Sequence, residues 1–374
     1  MKFTIIREEF LKGLNIASRA VASKNAIPVL NNLKIDLDET GLYLTGSNND
    51  LTIKTMIPYA EEGGKTIIRN YKEGSTLINA KIITEIARRI DSVEITLDVI
   101  DSTIAIISDG KSEFKLNCIR SEEYPDLDLD GDGELVSIAY KDFATLIDQT
   151  AFAASIKEQR PILTAINLEA VDGKLTATAT DSARMARKTL PIDKDINFVV
   201  NIAAKMLVEV VHLAEGNDLI NMCISEKKAL FVLGKTIVAT RMQSGDYPNT
   251  KNIVPRNINY ILQVNASDMI KAINRVSLLS IERENVVNIS MSENGVEVSS
   301  KSSQIGSASE KIENCKYEGQ RLEVSFNNEF VLAAIRALGS TDVTLAFVGE
   351  MKPFIVRNDE DDSVIQVVTP MRTY

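Results

Sequence analysis

Tryptophan is absent from this 374-residue chain, histidine occurs once and cysteine three times. Each scarcity closes off a class of chemistry. The cysteines, Cys118, Cys223 and Cys315, have no CxxC pair and no Cys/His neighbour. Neither a zinc site nor a disulfide framework is indicated, and they read as small buried hydrophobes of a reducing compartment. His212 lies in the apolar stretch VEVVHLAEG, as a packed or half-exposed helical side chain rather than a base. No apolar run reaches bilayer length, and the opening MKFTIIREEF is too charged for a signal peptide, which points to a cytoplasmic protein. A net charge of −10 argues on its face against a nucleic-acid partner. Total charge does not say where the basic residues sit.

Repetition is what the sequence has in place of these. NAKIITEIARRI from Asn79, AAKMLVEVVHLA from Ala203 and NNEFVLAAIRAL from Asn327 share one pattern, with Lys81, Lys205 and Glu329 at an equal spacing of 124 residues. A fixed period of this kind signals copies of one structural unit. Gly110 and Gly234 recur at the same spacing, and each is followed by a Tyr-Pro pair, Tyr124-Pro125 and Tyr247-Pro248. The segments FTIIREEFLKGL, VSIAYKDFATLI and ILQVNASDMIKAI each read as a strand running into an amphipathic helix. Copy one carries a longer connection, EEGGKTIIRNYKEG, which reads as a Gly-rich polar loop. The joins fall at Asp126 to Glu134 and near Ile253 to Asn257, both polar or proline-bearing. The expectation is an α+β chain of three tandem units, spanning 1–128, 134–252 and 256–374. Six helices are expected at 7–24, 79–91, 141–160, 203–215, 267–283 and 327–339, among alternating strands.

The motifs that suggest catalysis dissolve when their chemistry is spelled out. Gly-Lys-Ser at 110–112 and Gly-Lys-Thr at 234–236 resemble the end of a phosphate loop. The glycine required five positions earlier is replaced by Ala105 and Ala229, so hairpin turns are expected. DLDLDGD from Asp126 opens like a calcium loop, but Ser137 stands where a bidentate glutamate should close it, and a solvated acidic linker is the expectation. Ser-x-x-Lys at Ser112 and Ser225 has no partner motif. Little remains from which to build an active site, and a non-catalytic protein without metal or cofactor is expected.

The six helical segments hold fifteen lysines or arginines against twelve acids, whereas the whole chain holds 42 against 52. Helices are mildly basic and the remainder is acidic. A set of repeated helices turned one way would offer a duplex sequence-independent phosphate contacts.

Taken in order, MKFTIIREEF, IPVLNNLKI, TDSARMA from Thr180, GDYPNTKNIVP from Gly245, SFNNEFVLAAIRAL from Ser325 and VVTPMR from Val367 resemble the bacterial sliding clamp, the beta subunit of DNA polymerase III. The resemblance covers nearly the whole chain. It implies three clamp domains, each with two helices inside and antiparallel sheets outside, forming a half ring that closes around double-stranded DNA as a homodimer. It implies DNA contact through Lys24, Lys81, Lys157, Arg160 and Lys205, and a dimer seam of Phe114 and Leu116 against Leu278 and Leu279. It further implies a hydrophobic pocket for short peptides of polymerases, of the clamp loader and of mismatch-repair and ligase-type proteins. Matching pocket positions are Leu163, Thr180, Arg184, Met185, Pro248, Ile253, Val367, Val368, Thr369, Pro370, Met371 and Arg372. Ala183 departs from the histidine of many relatives, and Asn252 from a frequent arginine. The competing reading is a repeat-built protein-binding module without a DNA role.

Overall fold

The computed structural model describes residues 1–61, 63–157, 159–192, 196–225, 227–280 and 285–372. Two compact units emerge, one from residues 1–140 with 212–242 and one from 141–211 with 243 onward, so the middle repeat contributes to both. The helices are α1 (Arg7–Ser18), α2 (Ala80–Arg89), α3 (Tyr140–Ala151), α4 (Ala204–Leu213), α5 (Ala266–Ser277) and α6 (Asn328–Leu338). All strand pairings between them are antiparallel.

Within the first unit, a five-stranded sheet runs in the order Ile68–Lys72, Lys2–Ile6, Glu94–Ile100, Ile104–Ser108 and Glu113–Asn117. Its eight-stranded neighbour crosses from one repeat to the next, because Thr236–Arg241 pairs with Leu51–Pro58. Within the second unit, a nine-stranded sheet does the same where Arg184–Pro191 pairs with Asp361–Val368, beside a four-stranded sheet that ends in Gly306–Ile312.

Three of the helix starts are fixed by side-chain caps. The side chains of Asn79, Asn265 and Asn327 accept backbone N–H bonds at the first turns of α2, α5 and α6, satisfying donors that the helix leaves free. Phe10, Leu14 and Ala17 bury one face of α1 against the strands Gly41–Ser47 and Leu51–Pro58; burial of a side chain such as Phe10 or Leu14 contributes about 2–3 kcal/mol. Gly46 permits that approach, since a Cβ there would lie 2.1 Å from the Ala17 carbonyl oxygen.

Several expectations are corrected. Three helices stop short: α1 ends at Ser18 rather than 24, α3 at Ala151 rather than 160, and α5 at Ser277, with 281–283 of its expected span outside the described residues. Beyond α1 and α5 local polar groups bond the backbone instead. Asn25 Nδ2 donates to the carbonyls of Ala22 and Leu30, and Ser280 Oγ donates to the Ser277 carbonyl, the competition that favours turns over helix continuation. On α2 the buried face is Ala80, Ile83, Thr84 and Ala87, leaving Ile82 exposed. The connection read as a polar loop contains an edge strand, Ile68–Lys72, paired with Lys2–Ile6. The acidic join is not merely solvated: Leu127 and Leu129 pack into small apolar clusters while Lys228 pairs with Asp128. Cys315 is half-buried, unlike Cys118 and Cys223.

The glycine-lysine motifs are hairpin turns, with Gly110 and Gly234 at positive φ. Ser225 Oγ donates to the Lys228 carbonyl within such a turn. Among the described residues no helix is long and apolar enough to cross a membrane.

Candidate peptide groove and basic positions

The candidate pocket residues fall in one compact unit. Four come together through the ladder between the repeats, which pairs Arg184 with Val368 and Met185 with Val367. Immediately beyond, Thr369 N–H donates to the Ala183 carbonyl at 2.9 Å and Met371 N–H to the Ser325 carbonyl at 2.7 Å, which directs the carboxyl-terminal residues along the second and third repeats. Leu163 sits in a 3-10 turn, Pro161–Thr164, whose carbonyl at Leu163 accepts from Ser155 N–H at 2.8 Å.

Thr180 ends its strand and organises the turn that follows. Its Oγ1 donates to the Arg184 carbonyl at 2.6 Å and accepts from Ser182 N–H at 3.1 Å. Asp181 accepts from the backbone N–H groups of Ala183 and Arg184 and, at 2.9 Å, from Arg184 Nε. The Arg184 guanidinium is thereby aimed at two rings, 4.4 Å above Phe330 and 5.7 Å from Phe152, a cation–π arrangement that favours a fixed, partly desolvated side chain. Asp181, Phe152 and Phe330 were not singled out by the sequence. The motif TDSARMA contained the first, while the two phenylalanines were legible only as helix residues.

Burial divides the candidates into a floor and a rim. Leu163, Thr180, Met185, Val367, Val368 and Pro370 are buried; Arg184, Pro248 and Met371 are half-buried; Ile253, Thr369 and Arg372 are exposed. Such an apolar floor beside an adaptable methionine suits a short linear segment. Pro248 and Ile253 belong to a loop fixed by Tyr247 and by Thr250, whose Oγ1 accepts from Arg187 Nη2 at 2.7 Å. Burial pushes the Tyr247 phenol up to about 12, against the Thr180 N–H bond, which lowers it. Burial also lowers the pKa of Arg187. No hydrogen bond, ion pair or ring contact among the described residues ties Arg372 to the others.

Lys24, Lys81, Lys157, Arg160 and Lys205 are all exposed. Lys81 and Lys205 occupy the second residues of α2 and α4, while Lys24, Lys157 and Arg160 lie beyond helix ends in irregular chain. None is held in an ion pair among the described residues, and Arg160 Nη1 reaches Ser182 Oγ at 3.5 Å. Phe114 and Leu116 are half-buried on Glu113–Asn117, the end strand of its sheet, and pack on the first repeat's core. Leu278 is 69% exposed just past α5, and Leu279 is half-buried.

A groove of about 960 Å³ runs along α1 beside His212. It holds none of the candidate residues, and its lining sets Arg7, Lys12 and Lys235 against Glu8, Glu61 and Glu215. Among the described residues no group of three metal-ligating side chains occurs.

Models of the DNA polymerase III beta subunit match the chain in three consecutive parts: the N-terminal domain at residues 1–128, the central domain at 137–249 and the C-terminal domain at 251–372. The beta sliding clamps of Bacillus subtilis and Halalkalibacterium halodurans are 34% and 35% identical, each over the full length of both chains. The crystal structure of the B. subtilis DNA polymerase sliding clamp superposes with a TM-score of 0.96 at 33% identity, covering all of both chains. That of the DNA polymerase III beta chain of Streptococcus pneumoniae gives 0.95 at 29% identity, with the same coverage. This chain belongs to the family of DNA polymerase III beta subunits, the bacterial beta sliding clamps.

Proposed function

We propose that the protein is the processivity factor of a DNA polymerase, a non-catalytic subunit that encircles duplex DNA as a ring and tethers polymerases to it. The observation that carries this reading is the family match, which takes all three repeats in order at residues 1–128, 137–249 and 251–372. Two copies would meet head to tail, each presenting the end strand Glu113–Asn117 with Phe114 and Leu116 to the partner's Leu278 and Leu279. An open strand edge offers unpaired backbone groups for such a junction, and a two-fold assembly closes without leaving free ends. The domain limits 1–128, 134–252 and 256–374 belong to the same proposal.

DNA would be held through Lys24, Lys81, Lys157, Arg160 and Lys205. Exposed cations without ion-pair partners give up no ion pair when they neutralise a phosphate, and contacts of this kind carry no sequence information. The groove around Arg184, Met185, Val367 and Val368 would take apolar peptide segments from the polymerase III alpha subunit and other polymerases. The clamp loader and the mismatch-repair and ligase-type clamp-binding proteins would share it. A cytoplasmic location follows from that role.

A primer-extension assay with the cognate polymerase and clamp loader tests the reading. Full-length protein is expected to give long products, and truncation before Pro370 to return them to the polymerase-alone length while dimerisation persists. Undiminished stimulation by the truncated protein would refute the groove assignment.

A further inference from the structure

We propose that the hydroxyl of Tyr247 is a positioning group that holds the peptide groove open, an inference that rests on the peptide-binding reading above. The strands Ala165–Val171 and Lys174–Thr180 pair in the register Asn167↔Thr178, Leu168↔Ala177. Continued by two residues, that register would place Ala165 opposite Thr180. Those residues lie outside the paired stretch, and the phenol stands there instead. Tyr247 Oη accepts from Thr180 N–H at 3.0 Å and donates to the Ala165 carbonyl at 3.3 Å. A side chain from a third segment thus supplies the two bonds that the parted strands do not make to one another.

The place of this wedge matters for the groove. Thr180 carries the turn that aims Arg184. Ala165 lies two residues beyond Leu163, and Pro248 directly follows Tyr247. One hydroxyl is bonded to two of the groove's walls and sits on a third. The loop has further attachments, Asn201 Nδ2 to the Gly245 carbonyl at 3.1 Å and Arg187 to Thr250, but neither involves a groove wall on its other side. Loss of the hydroxyl leaves a buried N–H without its acceptor, which the chain can relieve only by drawing the strands together or by letting water in. Either response changes the distance between Leu163 and Thr180.

The test is Tyr247→Phe in the full-length protein, which keeps the ring and removes only the oxygen. With a fluorescein-labelled peptide copied from the cognate polymerase III alpha subunit as probe, Kd is expected to rise roughly ten-fold, the scale of one orphaned buried donor. Thr250→Val, on the same loop with the phenol intact, is expected to change Kd less than three-fold. Amide exchange should accelerate at Thr180 and through residues 182–184 and stay unchanged in the first repeat, a confinement that general destabilisation would not produce. Kd within two-fold of the parent and unaltered exchange at Thr180 would overturn the proposal. Truncation before Pro370 separates the two failures. If it abolishes binding while Tyr247→Phe does not, only the role of the hydroxyl falls; if the truncated protein binds like the parent, or the parent does not bind, the groove reading falls and this inference with it. Should the variant fold poorly, Thr180 in the unsubstituted protein decides, since rapid exchange there contradicts the bridge.

Discussion

The two places where a sheet passes from one repeat into the next have the same geometry and opposite chemistry. Leu51–Pro58 meets Thr236–Arg241 over five residue pairs, and Arg184–Pro191 meets Asp361–Val368 over five. The first junction has no ion pair across it among the described residues: Thr55 and Thr236 share a buried hydroxyl hydrogen bond of 2.8 Å, Val238 stands opposite Ile53, and Lys54 lies opposite Ile237. The second is polar: Lys188, 5% exposed, donates to Asp361 at 2.8 Å, and neither amide atom of the fully buried Gln366 has a hydrogen-bond partner among the described residues. Repeats can therefore be joined without an ion pair across the ladder. Charge at the second junction serves something else, and a buried ion pair fixes register at little net gain in stability because its desolvation offsets its attraction. That junction is also the one that presents the candidate groove, where a one-residue slip would turn Met185 and Val367 to the opposite face.

The contrast can be broken experimentally. The largest effect is expected from Lys188→Ala, which strands Asp361. Loss of about 3 kcal/mol is typical for a buried pair cut on one side, and the partial exposure of Asp361 reduces it; urea unfolding followed by amide exchange along 184–191 measures it. Thr55→Val should cost about 1–2 kcal/mol by leaving the Thr236 hydroxyl alone, whereas the double change with Thr236→Val should be nearly neutral. A double variant as damaged as the single one would contradict the pairing of the two hydroxyls. Gln366→Met removes two unpartnered amide atoms at similar volume and is expected to raise stability by about 1 kcal/mol, read as a higher melting temperature.

The smallest effect concerns pH. Burial opposes the Asp361 carboxylate, but hydrogen bonds from Lys188 and Ser363 and the lysine charge outweigh it and hold the carboxyl below its ordinary value of 3.8. With the folded pKa below the unfolded one, this contribution is complete above about pH 4 and is lost as pH falls through the folded value. Acid titration should loosen amides on both strands of the second junction before those of the first, and Asp361→Asn should remove the difference. Simultaneous loosening in the parent protein would contradict the assignment.

Much of this architecture was readable from spacing. The recurrence of Lys81, Lys205 and Glu329 implied three copies, and strand-to-helix transitions at Ile6, Ala139 and Asn265 came from changes in apolar period. Helix ends were not readable, because apolar period does not show where local side chains such as Asn25 and Ser280 bond nearby carbonyls in place of helix continuation. The junctions were equally hidden: nothing in the sequence connects Lys188 to Asp361 across 173 positions. Pocket residues were reached through family resemblance, and that route supplied Arg184 without Phe330 and Phe152, the rings it faces. Tyr247 served as a landmark of repetition while its hydroxyl, the part with a structural task, carried no sequence signal.

If the protein encircles DNA as a ring, topology rather than affinity keeps it there. The direct measurement loads labelled protein onto nicked circular duplex with an ATP-driven clamp loader, removes free protein, and follows retention before and after a single restriction cut. Retention on the circle and loss within minutes of linearisation is the expected result. Equal retention on circular and linear DNA would contradict the ring.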